Sequence, residues 1–283
     1  MGDNRRPMSQ ERSPGSFIGA SLFLALVAYG AGLVGMAVAQ SGLVGKVQFR
    51  LVLIFSEVAL ALPALVVAAI LAARMPELYR FAPLNAPAAA KTFVLGLALW
   101  ALSLGVFEAQ YVFVKPPLAY LEQFQGLHAM LKPTKALGWV FSIGAIAIAP
   151  AVCEEVLFRG LLTPVFKRAL GVWAALVVPS ALFAAIHVDT MRDGTTIYYR
   201  VPFAFILGML LAKLRLDTGS LWPPIIAHAT LNATTFILVL VMDEPKGVLP
   251  EPQPLVALGM LAVGSVVAKL LMRSVRPGAP ISA

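Results

Sequence analysis

The chain contains little charge and almost no cysteine. Of its 283 residues, 13% are charged and one, Cys153, is a cysteine. A single cysteine excludes an intramolecular disulfide and a multi-cysteine metal site. A soluble domain is about a quarter charged and about half apolar, whereas 59% of this chain is apolar. A globule of this size could not hide so much apolar surface from water, so lipid must solvate much of it.

The net charge of +8 would suggest a nucleic-acid partner if the protein were soluble. Here the Lys and Arg residues lie mainly between apolar runs, where they orient helices in a membrane. No basic face alternates with aromatic residues in the way that single-strand binders require. We therefore expect membrane lipids as partners, and no nucleic acid.

Eight apolar runs have the length of roughly 17 to 25 residues that a membrane-spanning helix needs. Connectors rich in proline and charge separate these runs. The pattern predicts an all-α, polytopic transmembrane helix bundle with about eight spans. The predicted spans are 17–40, 51–73, 92–113, 136–160, 172–188, 198–213, 221–242 and 255–272.

The predicted organisation is an N-terminal tail (1–16), a transmembrane domain (17–272) and a C-terminal tail (273–283). The first run follows a basic start, as a signal peptide does, but its apolar core of about twenty residues exceeds the usual 7–15 of a signal peptide. We therefore expect an uncleaved first helix. Successive connectors alternate between the two sides of the membrane. Those on the same side as the N-terminus carry more Lys and Arg residues than those on the opposite side, which favours cytoplasmic N- and C-termini.

Ionisable side chains inside membrane spans are costly and therefore indicate function. Glu57 lies in the second predicted span, where it either makes a hydrogen bond to a neighbouring helix or faces a cavity. Glu108 lies near the end of the third span and is expected at the membrane interface.

The fourth predicted span contains the sequence Cys153-Glu154-Glu155, followed four residues later by Arg159. Residues four apart share one face of a helix, so Glu155 and Arg159 are expected to form an ion pair. Glu154 is rotated by about 100° from Glu155 and has no basic residue three or four positions later. This asymmetry predicts a structural role for Glu155 and a catalytic role for Glu154.

Two histidines also lie within predicted spans. His187 follows Phe183 by one helical turn, and Asn232 follows His228 by one turn. The second pair presents two hydrogen-bonding side chains on one helix face. If the fourth helix ends near residue 168 and the fifth begins near 173, Glu154 and His187 both lie roughly 20 Å along their helices. We therefore expect the two side chains at a similar depth.

These residues form three motifs that resemble, in order, the E-E-x-x-x-R, F-x-x-x-H and H-x-x-x-N motifs of the CPBP family. This family comprises the CAAX prenyl proteases and the bacteriocin-processing and Abi-like proteins, and is described as intramembrane glutamic endopeptidases. The resemblance covers about residues 136–242, which would be the protease core.

The resemblance implies an intramembrane endopeptidase. Glu154 would be the general base and would activate water together with His187. His228 and Asn232 would donate hydrogen bonds to the oxyanion of the tetrahedral intermediate. Peptide hydrolysis requires such a base and such fixed donors. The substrate would be a membrane-tethered, lipid-modified or hydrophobic peptide segment.

The same resemblance assigns supporting roles to Glu155 and Arg159, which would hold the helix of Glu154, and to Phe183, which would pack beside the site. It implies no cofactor. Zinc is the alternative, since two histidines and a glutamate can bind this metal, although an H-E-x-x-H helix is missing. Cys153 is disfavoured as a nucleophile because Glu154 is adjacent.

A different class of function also stays open. A transporter or immunity protein could use the same polar groups to bind or conduct, although paired discontinuous helices, as expected of a transporter, are not evident. The composition, rich in Ala and Gly, favours a bacterial inner membrane as the location.

Overall fold

The computed structural model describes residues 45–71, 77–191, 193–241 and 251–275, together with the isolated positions Gly19, Phe23, Val27 and Gly30. The continuous ranges are almost entirely helical. Their helices are α1 (Lys46–Leu71), α2 (Ala86–Phe113), α3 (Leu118–Leu131), α4 (Ala136–Leu170), α5 (Val172–Ala185), α6 (Val201–Thr218), α7 (Trp222–Val241) and α8 (Pro254–Ser274). A short hairpin of β1 (Asp189–Thr190) and β2 (Thr196–Ile197) connects α5 to α6, with Asp189 opposite Ile197.

Five helices in the described part of the chain are long and apolar enough to cross a membrane, namely α1, α2, α4, α7 and α8. They contain most of the predicted spans 51–73, 92–113, 136–160, 221–242 and 255–272. The prediction of an all-α, polytopic membrane protein is therefore confirmed.

The predicted number of eight spans is not confirmed. The predicted span 172–188 becomes α5, an apolar helix of 14 residues, which is shorter than the roughly 17 that a span needs. The predicted span 198–213 becomes α6, and this helix carries Lys213, Arg215 and Asp217 towards its end. The predicted span 17–40 lies outside the described residues, apart from the four isolated positions.

Helix α3 was not predicted, because it is only 14 residues long and Glu, Gln and His interrupt its apolar residues. A buried arginine of α1 fixes its end. Arg50 donates from Nη2 to the carbonyl of Leu131 at 3.0 Å and from Nε to Ser142 Oγ of α4 at 2.8 Å. Since a charged side chain inside the bundle must satisfy its N–H groups, this contact joins α1, the end of α3 and α4.

Helix α4 continues past two prolines, to Leu170, ten residues beyond its predicted end at 160. Proline lacks an N–H group and collides with the carbonyl four residues earlier. Wider π-helical segments, Gly144–Ile148 and Val156–Leu162, lie just before Pro150 and Pro164. Thr163 Oγ1 donates to the carbonyl of Phe158 at 2.9 Å. The wider turns therefore accommodate both rings without ending the helix.

Tyr79, in the connection between α1 and α2, contacts both α1 and α4. Tyr79 has a positive φ of 49°, and its hydroxyl donates to the carbonyl of Ala64 at 2.8 Å. Its ring lies against Gly160, where an added Cβ would come within 2.7 Å of Tyr79 Cε1. Only glycine at position 160 leaves room for this ring.

Glycines also bring α2 close to the last two helices. A Cβ added at Gly264 of α8 would lie 2.6 Å from the backbone nitrogen of Leu102, and one at Gly96 of α2 would lie 2.7 Å from the carbonyl oxygen of Ala227. Small residues allow membrane helices to approach to backbone contact, where dispersion forces are strongest.

We predict that Gly264→Ala loosens the packing of α8 on α2, because the new methyl group meets backbone atoms that cannot rotate away. Overpacking of this kind costs about 1–3 kcal/mol, and thermal unfolding of the purified protein in detergent measures it. Gly259→Ala on the same helix is the control, since nothing lies within 4 Å of its added Cβ. Equal melting temperatures for the two variants would contradict the close packing.

Candidate active site

Two adjacent carboxylates of α4 lie inside the bundle. Glu154 and Glu155 end the α-helical segment Ala149–Glu155, directly before the second π-helical segment. Glu154 is 7% exposed and Glu155 is fully buried. π-Helical turns are rare and occur frequently at functional sites. An apolar core cannot hold such groups without compensation, so their partners define the site.

Glu155 forms the predicted ion pair with Arg159. Arg159 Nη1 lies 2.8 Å from Glu155 Oε1, and both side chains are buried. The guanidinium also donates from Nη2 to the carbonyl of Gly208 in α6 at 3.1 Å. The predicted pairing of Glu155 and Arg159 is thus confirmed, and it also ties α4 to α6.

His228 of α7 reaches both carboxylates. Its Nδ1 lies 3.0 Å from Glu155 Oε1, and its Nε2 lies 3.7 Å from Glu154 Oε2. A carboxylate only accepts hydrogen bonds, so Nδ1 carries a proton and donates it to Glu155. The other nitrogen then faces Glu154, whose Oε2 is buried and makes no hydrogen bond to the described residues.

Phe183 of α5 is the packing centre of the site. It is fully buried, and its ring centroid lies 4.6 Å from that of His187 and 5.9 Å from that of His228. The guanidinium carbon of Arg159 lies 4.5 Å from the same ring, within the range of a cation–π interaction. One aromatic side chain therefore contacts members of all three sequence motifs.

His187 lies just beyond the end of α5, half-buried against Phe183. Its Nδ1 is 2.7 Å from the carbonyl oxygen of Phe183. A carbonyl only accepts, so Nδ1 carries the proton. In the neutral ring this leaves Nε2 with a free lone pair, which is the protonation state that a base requires.

Asn232 lies one turn after His228 on α7 and is half-buried. Its amide makes no hydrogen bond with any other described residue, so both of its N–H groups remain available. The structure therefore brings Glu154, Glu155, Arg159, Phe183 and the two histidines into one cluster and leaves the Asn232 amide free beside His228.

A second charged cluster follows His187, and the sequence analysis did not identify it. Arg200 binds Asp189 of the hairpin through two hydrogen bonds, of 2.9 and 2.6 Å, and Tyr120 of α3 donates to the same carboxylate at 2.7 Å. In the sequence, the only indication of this cluster is that Asp189 and Arg200 flank a short segment rich in turn-forming residues.

Glu57 and Glu108, the other acidic residues of the predicted spans, lie in different environments. Glu57 has a buried Oε2 without a partner among the described residues, and Ala61, one turn later on α1, packs against Cys153. Glu57 therefore lies on the α1 side of the site. Glu108 accepts a 3.3 Å hydrogen bond from the backbone of Gln253 at an exposed position. Cys153 is a buried free thiol that packs with Ala61 and Val156.

The histidine and glutamate side chains of the site are also candidate metal ligands. Within the described ranges, no three His, Cys, Asp or Glu side chains converge in a way that would hold a metal ion. His228 Nδ1 lies against Glu155, and His187 Nδ1 lies against a backbone carbonyl. Zinc-binding histidines hold their second nitrogen in the same way, so zinc remains the alternative that elemental analysis tests.

We predict that Glu155→Gln destabilises the fold, because Arg159 would keep a buried charge without its counter-charge. Breaking one side of a buried pair costs about 3–5 kcal/mol, measured as chemical or thermal unfolding in detergent. The double variant Glu155→Gln/Arg159→Met should recover part of this loss. Asp217→Asn is the control, since it breaks an ion pair of the same spacing at an exposed position and should cost less than about 1 kcal/mol. A double variant no more stable than either single one would contradict the pairing.

Comparison with known proteins adds an independent finding. Residues 136–234 match the family model described as "Type II CAAX prenyl endopeptidase Rce1-like". The match begins at the first residue of α4 and contains all three motifs, and it confirms the family that the motifs resemble. Neither the search of the curated proteins nor that of the solved structures found a match.

Proposed function

Because residues 136–234 match the Rce1-like type II CAAX prenyl endopeptidase family, we propose that the protein is an intramembrane endopeptidase that uses water activated by Glu154. The observation that carries the proposal is the buried cluster of Glu154, Glu155, Arg159 and His228 within helices of an integral membrane protein. Such a cluster is too costly to serve packing alone.

In the proposed reaction, Glu154 is the general base. The Glu154 side chain keeps an exposed fraction of 10%, and its Oε2 makes no hydrogen bond to the described residues, so the carboxylate can accept a water molecule. His187 Nε2 accepts the second hydrogen of the same water and orients it. Glu154 takes the proton as the oxygen attacks the peptide carbonyl carbon, and later delivers it to the leaving amine nitrogen. The C–N bond breaks, and the carboxylate is regenerated.

The carbonyl oxygen becomes negatively charged in this step and needs fixed donors. The Asn232 amide supplies one. His228 supplies the other when Nε2 is protonated as well as Nδ1.

The substrate of this proposed reaction is a peptide bond in a membrane-tethered, lipid-modified or hydrophobic segment. A site enclosed by membrane helices favours a chain that already partitions into lipid. The proposed location is a bacterial inner membrane with both termini in the cytoplasm, as the distribution of Lys and Arg favours.

We predict that Glu154→Gln abolishes hydrolysis while the protein still inserts and folds, because the amide keeps the shape of the carboxylate but cannot take a proton. Peptides released from membranes that contain each variant, and a farnesylated peptide with a CAAX-type end, are measured by mass spectrometry. Glu251→Gln removes an exposed carboxylate and should retain full activity. Wild-type rates in Glu154→Gln would remove the proposed base.

We further predict that His228→Ala and Asn232→Ala each lower kcat more than they raise KM, because both groups act on the transition state. Removing one such donor typically costs roughly 10²–10³ in rate. Elemental analysis of the purified wild type and variants tests the zinc alternative. One zinc per chain that disappears together with activity in His228→Ala would contradict the glutamic mechanism. A site-dependent phenotype without any peptide cleavage would instead support a transporter or immunity protein.

A further inference from the structure

A second polar site lies at the end of the bundle where α4 and α6 terminate. The connection between α1 and α2 joins these helix ends around a cavity of about 560 Å³. Its lining includes Arg80, Lys167, Arg168 and Arg215, opposed by the carboxylate of Glu77. Four cationic side chains against one carboxylate leave three positive charges in excess. The volume lies in the range of roughly 300–1,000 Å³ that is typical of ligand sites.

Among the described residues, the lining of the cavity contains no carboxylate besides Glu77. The ion pair between Arg168 Nη1 and Glu77 Oε1 is 3.9 Å long and exposed, so it contributes little. Arg215 is 5% exposed and donates from Nη2 to the carbonyl of Glu77 at 2.7 Å. Its Nε is buried and has no partner among the described residues. A buried guanidinium in the wall of the cavity thus keeps one N–H group without an acceptor among the described residues.

Exposed aromatic residues surround the same end of the bundle. Phe81 follows Arg80 and packs edge-on against Trp222 of α7 at 5.2 Å, and each is 43% exposed. Trp173, near the start of α5, is 76% exposed. Exposed Trp residues of membrane proteins are enriched at the level of the lipid headgroups. The basic cavity therefore lies where headgroups, rather than acyl chains, meet the protein.

We propose that this cavity binds the phosphate group of an anionic phospholipid, such as phosphatidylglycerol. Arginine guanidinium groups bind phosphate oxygens through paired N–H donors, and basic cavities between membrane helices bind anionic headgroups. The site is separate from the proposed catalytic centre. Lys167 follows Glu154 by 13 residues on α4, which is roughly 20 Å along the helix. The inference goes beyond peptide hydrolysis and does not depend on it.

Native mass spectrometry of the purified full-length chain tests the proposal, with phosphatidylglycerol and phosphatidylcholine of identical acyl chains as probes. We expect retention of phosphatidylglycerol over phosphatidylcholine. Arg80→Gln and Lys167→Gln should each lower this retention roughly fivefold, and the double variant roughly 25-fold, since one cation near an anionic headgroup contributes about that factor. Lys167→Gln alone carries the test if Arg80→Gln does not fold.

Lys213→Gln is the matched control. This side chain is exposed on α6 and is paired with Asp217, and it carries the same charge without lining the cavity. Lys213→Gln should change the retention of phosphatidylglycerol less than about twofold, because the cations that line the cavity attract the headgroup only at short range. Equal losses in Lys213→Gln and Lys167→Gln, or no preference for the anionic lipid, would overturn the proposal. Displacement of the lipid by millimolar inorganic phosphate would assign the cavity to free phosphate instead. None of these readouts involves hydrolysis, so the proposed protease activity stands or falls separately.

Discussion

The structure depends on the compensation of buried charge where water is absent. The Glu155 carboxylate accepts from Arg159 on its own helix and from His228 on α7, and Arg159 continues to the Gly208 carbonyl on α6. Removing any one of these contacts would leave a charge or a polar group unsatisfied in an apolar interior. Three helices are thereby held in a single arrangement, which also sets the distance between His228 and Glu154.

Much of the site could be predicted because it rests on helical periodicity. The spacing of Glu155 and Arg159 predicts a contact that needs no knowledge of other helices. The similar depth of Glu154 and His187, expected from counting residues from the membrane boundary, stays a prediction. The contact of His228 with Glu155 could not be derived in this way, because it depends on how α7 is rotated against α4. The bond between Asp189 and Arg200 depends likewise on a hairpin that apolar periodicity does not reveal.

The fold could be predicted where apolar length decides the outcome, as in the spans 51–73 and 255–272. It could not be predicted where another force decides. The fourth span was expected to end at residue 160, whereas a wider turn carries α4 past Pro164 to Leu170. Helix α3 is stabilised by Arg50 and by ring contacts between Tyr120 and Tyr199, which hydropathy does not detect. The apolar run at 172–188 stops as a helix at Ala185 because a turn and a hairpin follow.

The π-helical segment Val156–Leu162 has a consequence for how α4 tolerates insertions and deletions. A π-helical turn accommodates an extra residue within a continuous helix, and each residue of an α-helix turns the chain by about 100°. Loss of one residue here would leave a helix of nearly the same length. Its two ends would, however, be rotated relative to each other, and Glu154 and Lys167 would no longer face their present neighbours together. The angular phase between the part of α4 that carries Glu154 and the part that carries Lys167 is therefore set by a single residue.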